Sequence, residues 1–190
     1  MVRWEPGAHE RLQAAALELY DRRGFEQTTA ADVAQAAGLT ERTFFRYFAD
    51  KREVLFAGQE RFQQLFVDGV AAAPDDASAL DAVAFALRAS AAFFPDERRT
   101  HSRQRYAVIA ANPGLQEREL LKMATLSGAI ADVLQARGVS EPQARLAAEA
   151  GVTVFVAAYR RWLDEGETRA LDDVVDDVLS DLRALALSVR

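Results

Sequence analysis

Residues 29–48, Thr29-Ala-Ala-Asp-Val-Ala-Gln-Ala-Ala-Gly-Leu-Thr-Glu-Arg-Thr-Phe-Phe-Arg-Tyr-Phe48, read as two short helices about a tight turn. Thr28 and Thr29 precede the first, and Thr40 precedes the second, where a hydroxyl can accept from the open N–H groups of a helix start. Leu39 is placed to staple onto Phe44. Gly38 can take the positive φ that ends one helix and turns the chain into the next. Ala34 and Ala37 are small enough for a close crossing. Val33, Leu39, Phe44 and Phe48 form one apolar stripe, which can pack on a preceding helix through Leu12, Ala15, Ala16 and Leu19. The arrangement is a helix-turn-helix.

The stripe leaves Glu41, Arg42, Phe45, Arg46 and Tyr47 on or beside the outward face of the second helix. Thr40, Glu41, Arg42 and Thr43 form its N-terminal turn, the part of a recognition helix that reaches base edges in the major groove. Arg42 can pair with guanine and Glu41 can accept from cytosine N4. Thr29, Tyr47 and Lys51 suit phosphates, Lys51 at the start of a following helix. Residues 39–52 carry a net +2, whereas residues 1–55 together carry −1. The basic signal is local.

Working outward, the 190 residues include 38 Ala, but only 10 Gly and 5 Pro, a composition that favours helix. Apolar residues at three- and four-residue spacing predict nine helices, at about 8–23, 30–37, 41–47, 51–72, 77–93, 96–111, 115–137, 141–164 and 170–188. Asp50, with Glu53 three residues on, predicts an acidic capping box for the fourth, and Pro142 fits the first turn of the eighth. No segment alternates as a half-buried strand does. The expected fold is all-α, with an N-terminal DNA-reading unit at 8–68 and a helical body at 69–190. No Cys is present, which excludes disulfides and thiolate chemistry. With neither a membrane-length apolar run nor a signal-peptide pattern, a cytoplasmic protein is expected. The net charge of −6 argues against a general basic coat for nucleic acid.

Gly24-Phe25, Thr28-Thr29, Val33 to Thr40, Thr43 to Phe48 and Lys51 to Leu55, in that order and spacing, resemble the TetR family of bacterial transcription regulators. The family usually has Tyr where this chain has Phe45, which removes a phosphate-contacting hydroxyl. It often has a polar residue where Ala31 stands. The resemblance implies a homodimer on a palindromic double-stranded DNA operator, acting as a repressor released by a small hydrophobic or amphipathic effector. For the body it implies an effector pocket, with Phe62, Phe66, Phe85, Phe93, Arg105, Tyr106, Met123, Leu126 and Phe155 as expected lining. The run from Arg105 to Leu115 looks like the branch related to the mycofactocin regulator, which implies an acyl-CoA or lipid-like effector.

The last two expected helices are the candidates for a dimer interface, through Val152, Val156, Tyr159, Trp162, Val174, Val178, Leu182 and Leu185. Their burial within a monomer is the alternative. Asp172, Asp173, Asp176 and Asp177 read as a solvated face near a helix start, because they lack the loop that wraps a cation. Arg98, Arg99, His101, Arg103 and Arg105 can form salt bridges, lie near the DNA-reading unit or bind an anion. There is no Gly-rich phosphate loop, nucleophile elbow or metal-spaced His pair. No catalytic residue, metal or cofactor is expected; a helical protein-interaction scaffold is the competing class.

Overall fold

The computed structural model describes residues 7–187. Among them are nine α-helices and no strand: α1 (Ala8–Arg23), α2 (Ala30–Ala36), α3 (Glu41–Tyr47), α4 (Gln59–Ala71), α5 (Ala79–Ala91), α6 (Arg99–Ala110), α7 (Pro113–Ala136), α8 (Glu141–Leu163) and α9 (Leu171–Leu187). Short 3-10 turns lie at Glu53–Phe56 and Asp96–Arg98. The all-α expectation holds.

The continuous helix expected at 51–72 does not form. Ala57 leaves helical geometry with ψ 138° and Gly58 follows at φ +87°, so α4 begins only at Gln59. The physical reason lies in the preceding turn, where Val54, Leu55 and Phe56 are all buried. One face of an α-helix cannot bury three consecutive side chains. Pro113 and Gly114, expected to lie between helices, instead open α7. Proline has no N–H to lose there, and the Asn112 carbonyl accepts from the N–H groups of Leu115 and Gln116.

The chain divides into two compact units, and not along a single cut between 68 and 69. One comprises the residues up to Gly58 together with His101–Glu119; the other comprises Gln59–Thr100 and the residues from Leu120 onward. The division falls inside α6 and α7.

In the first unit, Leu12, Ala16, Leu17 and Tyr20 of α1 pack with Val33, Ala34, Phe44 and Phe48. Val54, Leu55 and Phe56 extend this core to Val108, Ile109 and Leu115. The 3-10 turn is also held by polar groups. Arg105 donates through Nε to the Leu55 carbonyl at 2.7 Å and pairs with Glu119 at 3.2 Å, and Arg118 pairs with Glu53 at 2.7 Å.

In the second unit, α5 is crossed closely by two helices, each through a glycine. A Cβ on Gly69 of α4 would lie 2.7 Å from the Ala86 Cα, and one on Gly151 of α8 would collide with Val83. Larger residues would force these helices apart. Around them Phe62, Phe66, Phe94, Phe155, Tyr159 and Trp162 form an aromatic core with ring centroids 5.0–6.3 Å apart. The buried Arg99 stacks over Trp162 at 4.8 Å, pairs with Asp96 at 2.7 Å and donates to the carbonyls of Glu167 and Arg169. Arg137 closes the end of α4 by donating to the carbonyls of Ala71, Ala73 and Pro74. No helix of the described residues is long and apolar enough to cross a membrane.

Candidate nucleic-acid interface

The site is built from the α2–α3 turn outward. Thr29 accepts from the Asp32 N–H at 3.1 Å, and Asp32 accepts in return from the Thr29 N–H at 2.9 Å, a reciprocal cap on α2. The Thr29 hydroxyl bond holds the Asp32 carboxyl below its ordinary range, and the backbone N–H bond adds to it. At the other end, the Leu39 N–H reaches the Ala34 carbonyl and the Gly38 N–H reaches Gln35, with Gly38 at φ +67°. This double bond pattern fixes the angle at which α3 leaves the turn. Thr40 then caps α3 by accepting from the Thr43 N–H at 3.2 Å, and the two hydroxyls lie 2.9 Å apart.

Phe44 and Phe48 anchor α3 in the core, while Glu41, Arg42, Phe45 and Arg46 are exposed. Among the described residues no ion pair holds Glu41 or Arg42. Half the surface of Phe45 remains open, at 52 %. The Arg46 guanidinium lies 5.0 Å from the Tyr47 ring, and His9 of α1 meets that ring edge-on at 6.0 Å. His9 also lies 5.0 Å from Phe48. Sequence reading assigned nothing to His9, since the only signal was its one-turn offset from Leu12. It braces the half-buried Tyr47 beside the exposed face.

Lys51 stands elsewhere than expected. Its ammonium donates to the carbonyls of Phe25 at 2.9 Å and Thr28 at 3.1 Å, and sits 4.3 Å from the Phe25 ring centroid. The Thr28 hydroxyl donates to the Gly24 carbonyl at 2.9 Å, and the Tyr20 hydroxyl donates to the Lys51 carbonyl at 2.7 Å. Burial, with the Asp50 charge as a lesser cause, pushes the Tyr20 phenol well above its ordinary range. Lys51 therefore pins the turn ahead of α2, and a phosphate would have to displace these bonds. Asp50 caps the 3-10 turn, accepting from the N–H groups of Arg52 and Glu53. Burial opposes its charge, yet these bonds and the Arg52 guanidinium hold its carboxyl below the usual range.

The expected pocket residues do not converge. Phe62, Phe66, Phe93 and Phe155 belong to ring contacts within the aromatic core, and Leu126 is fully buried. Phe85 is 43 % exposed. Arg105 and Tyr106 fall in the other unit, where Arg105 serves the 3-10 turn. Met123 instead lines a groove of about 480 Å³ between α7 and α8, with Ser127, Asp132, Arg145, Glu149 and Val152. Of the dimer candidates, Trp162 and Val174 are fully buried within their own unit, the alternative that the sequence left open, and Tyr159 is largely so. Leu185 is exposed, and Val152, Val156, Val178 and Leu182 are half-buried. In the acidic run, Asp176 accepts from Arg88 at 2.6 Å and Asp177 from Arg169 at 2.7 Å. For Arg99 and Arg105 the structure thus selects ion pairs and carbonyl bonds.

With this geometry in view, the similarities to known proteins are specific. Residues 12–57 match the model of bacterial regulatory proteins of the tetR family, and residues 77–186 match the MftR C-terminal domain. The chain belongs to the TetR family, DNA-binding transcriptional regulators of bacteria. It is 31 % identical over 156 residues to MftR of Mycobacterium tuberculosis, a protein named for regulating mycofactocin biosynthesis, covering 80 % of this chain and 78 % of that one. It is 28 % identical over 134 residues to the HTH-type transcriptional regulator TcmR of Streptomyces glaucescens, covering 67 % of this chain. That match spans only 59 % of TcmR. Among solved structures, a TetR-family regulator from Syntrophomonas wolfei superposes with a TM-score of 0.67 at 16 % identity, covering 96 % of each chain. The fatty acid degradation regulator FadR of Bacillus halodurans gives 0.55 at 15 % identity, covering 95 % of this chain and 96 % of that one. These two share the fold.

Proposed function

We propose that the protein is a homodimeric repressor that reads a palindromic operator with α3 and leaves it when a small hydrophobic or amphipathic effector binds. The observation that carries this reading is the face of α3. Glu41, Arg42, Phe45 and Arg46 project from a helix fixed by a capped turn below and two buried phenylalanines behind. Such rigidity holds base-reading groups in register with a groove. Arg42 reads a base, Glu41 its neighbour, and Arg46 with Tyr47 contacts the sugar-phosphate chain. Thr29, Thr40 and Thr43 serve as caps first, and Lys51 supports binding through the turn it pins. Phe45 offers an apolar contact to a thymine methyl.

Half-buried Val152 and Val156 on α8 and exposed Leu185 on α9 support a second copy of the chain as partner. The MftR-type C-terminal region supports an effector site in the body. An effector acts by favouring the conformation with weaker operator affinity. A cytoplasmic, non-catalytic role fits this reading.

The test is selection of bound genomic fragments, followed by mobility-shift titration of Arg42→Ala. The variant should lose about 1–3 kcal/mol of preference for the selected operator over random DNA. Equal losses on both DNAs would remove Arg42 from base reading. Absence of any selected fragment at low salt would favour the protein-interaction scaffold.

A further inference from the structure

Two buried side-chain nitrogen donors among the described residues lack an acceptor: the Trp162 Nε1–H, within the aromatic core, and the Gln59 amide Nε2, at the start of α4. Trp162 is fully buried. Its ring lies 5.9 Å from Tyr159 and 6.3 Å from Phe94. Gln59 sits one turn before Phe62 on α4, and Phe62 lies 5.4 Å from the same Phe94 ring. Native interiors rarely leave such donors unanswered, because each gives up its bond to water on burial.

Phe94 differs from its neighbours in where it is held. Phe62, Phe155, Tyr159 and Trp162 stand on α4 and α8, whereas Phe94 stands on the short connection between α5 and the 3-10 turn at Asp96. Its ring nevertheless touches all four and Phe93 besides, at centroid distances of 5.0–6.3 Å. A half-buried ring on a connection is thus the hub of a core otherwise built from helices.

We infer that this core is a closed binding site for a flat aromatic molecule bearing a hydrogen-bond acceptor, such as an aromatic ketone or quinone. The ligand takes the place of the Phe94 ring and accepts from the Trp162 Nε1–H. Ring-for-ring exchange preserves the edge and offset contacts of the cluster. The unanswered Trp162 group is a donor, so the ligand must bring an oxygen acceptor rather than a donor. This deepens the repressor reading above, on which it rests for its regulatory meaning, by naming the class of effector.

The experiment uses the full chain and a matched pair of probes, fluorenone and fluorene, which differ by one carbonyl acceptor. In equilibrium dialysis fluorenone should bind about tenfold more tightly, the difference of one buried hydrogen bond. Trp162→Phe should level the two affinities, and Phe94→Ala should tighten both while keeping their ratio. Trp4→Phe leaves a single indole N–H resonance, so a variant that misfolds cannot obscure the result. That resonance should move downfield with fluorenone and not with fluorene. Equal binding of the two probes, an unmoved indole resonance, or a preference that survives in folded Trp162→Phe would overturn the inference. So would weaker binding by Phe94→Ala, or displacement of fluorenone from the site by neither excess quinone nor aromatic ketone but by palmitoyl-CoA alone. Operator binding without probes is measured separately: operator recognition without acceptor preference rejects this inference and spares the repressor reading. Acceptor preference without operator recognition does the reverse.

Discussion

The turn ahead of α2 and the aromatic core around Phe94 are held in opposite ways. In the turn, the backbone carbonyls of Phe25 and Thr28 are gathered by one ammonium, that of Lys51, while the Thr28 hydroxyl closes on Gly24. In the core, contact is ring on ring and the Trp162 N–H goes unanswered. A hydrogen-bonded turn has one geometry, which a groove-reading helix requires. A ring cluster is held by many contacts that are individually weak and far less directional than a hydrogen bond.

The largest effect should come from deleting a ring. Phe66→Ala, at a fully buried position, should cost about 3–5 kcal/mol in urea unfolding, whereas Phe45→Ala on the open face of α3 should stay within about 0.5 kcal/mol. A small loss at Phe66 would mean that the core already yields freely. Next, Lys51→Met should destabilise by about 1.5–3 kcal/mol, the range for hydrogen bonds to a charged group. It should leave the salt dependence of operator binding unchanged. A salt slope reduced by about one would restore Lys51 as a direct phosphate contact.

Gly151→Ala probes the packing beside the core. The new Cβ meets Val83, so a loss of about 1–3 kcal/mol is expected despite the better helix propensity of alanine. A gain in melting temperature would show that α5 and α8 separate easily. The smallest effect concerns the connection before α9. Hydrogen bonds from the Arg169 side chain lower Glu167 from 4.5 to about 2. A lowered carboxylate stabilises the fold fully above its unfolded pKa and loses that contribution as pH falls through the folded one. Thermal melts should therefore show a small decline between pH 4.5 and about 2 that Glu167→Gln lacks.

The reading unit was legible because its signals are local. Thr29, Thr40 and Gly38 act within four residues of their own positions, and the structure finds all three doing so. The carbonyl partners of Lys51 were not legible because they lie 23 and 26 residues back, where sequence spacing carries no information. The break at Gly58 was missed because apolar spacing continues through it, and only three successive buried residues reveal the change. The aromatic residues were recognised as a group, but periodicity cannot distinguish a lined cavity from rings packed on one another. That Arg105 and Tyr106 fall in the first compact unit was not legible for a related reason, since an α6 assigned whole to the body gives no sign of where compactness divides it.

That division bears on synthesis. The core under α3 is completed by Val108, Ile109 and Leu115, which emerge some fifty residues after Phe56. Until they leave the ribosome, Val54, Leu55 and Phe56 lack part of their covering. The helix-turn-helix is made first and finished late. At bacterial elongation rates of about 5–20 residues per second, it waits several seconds before its own core can close.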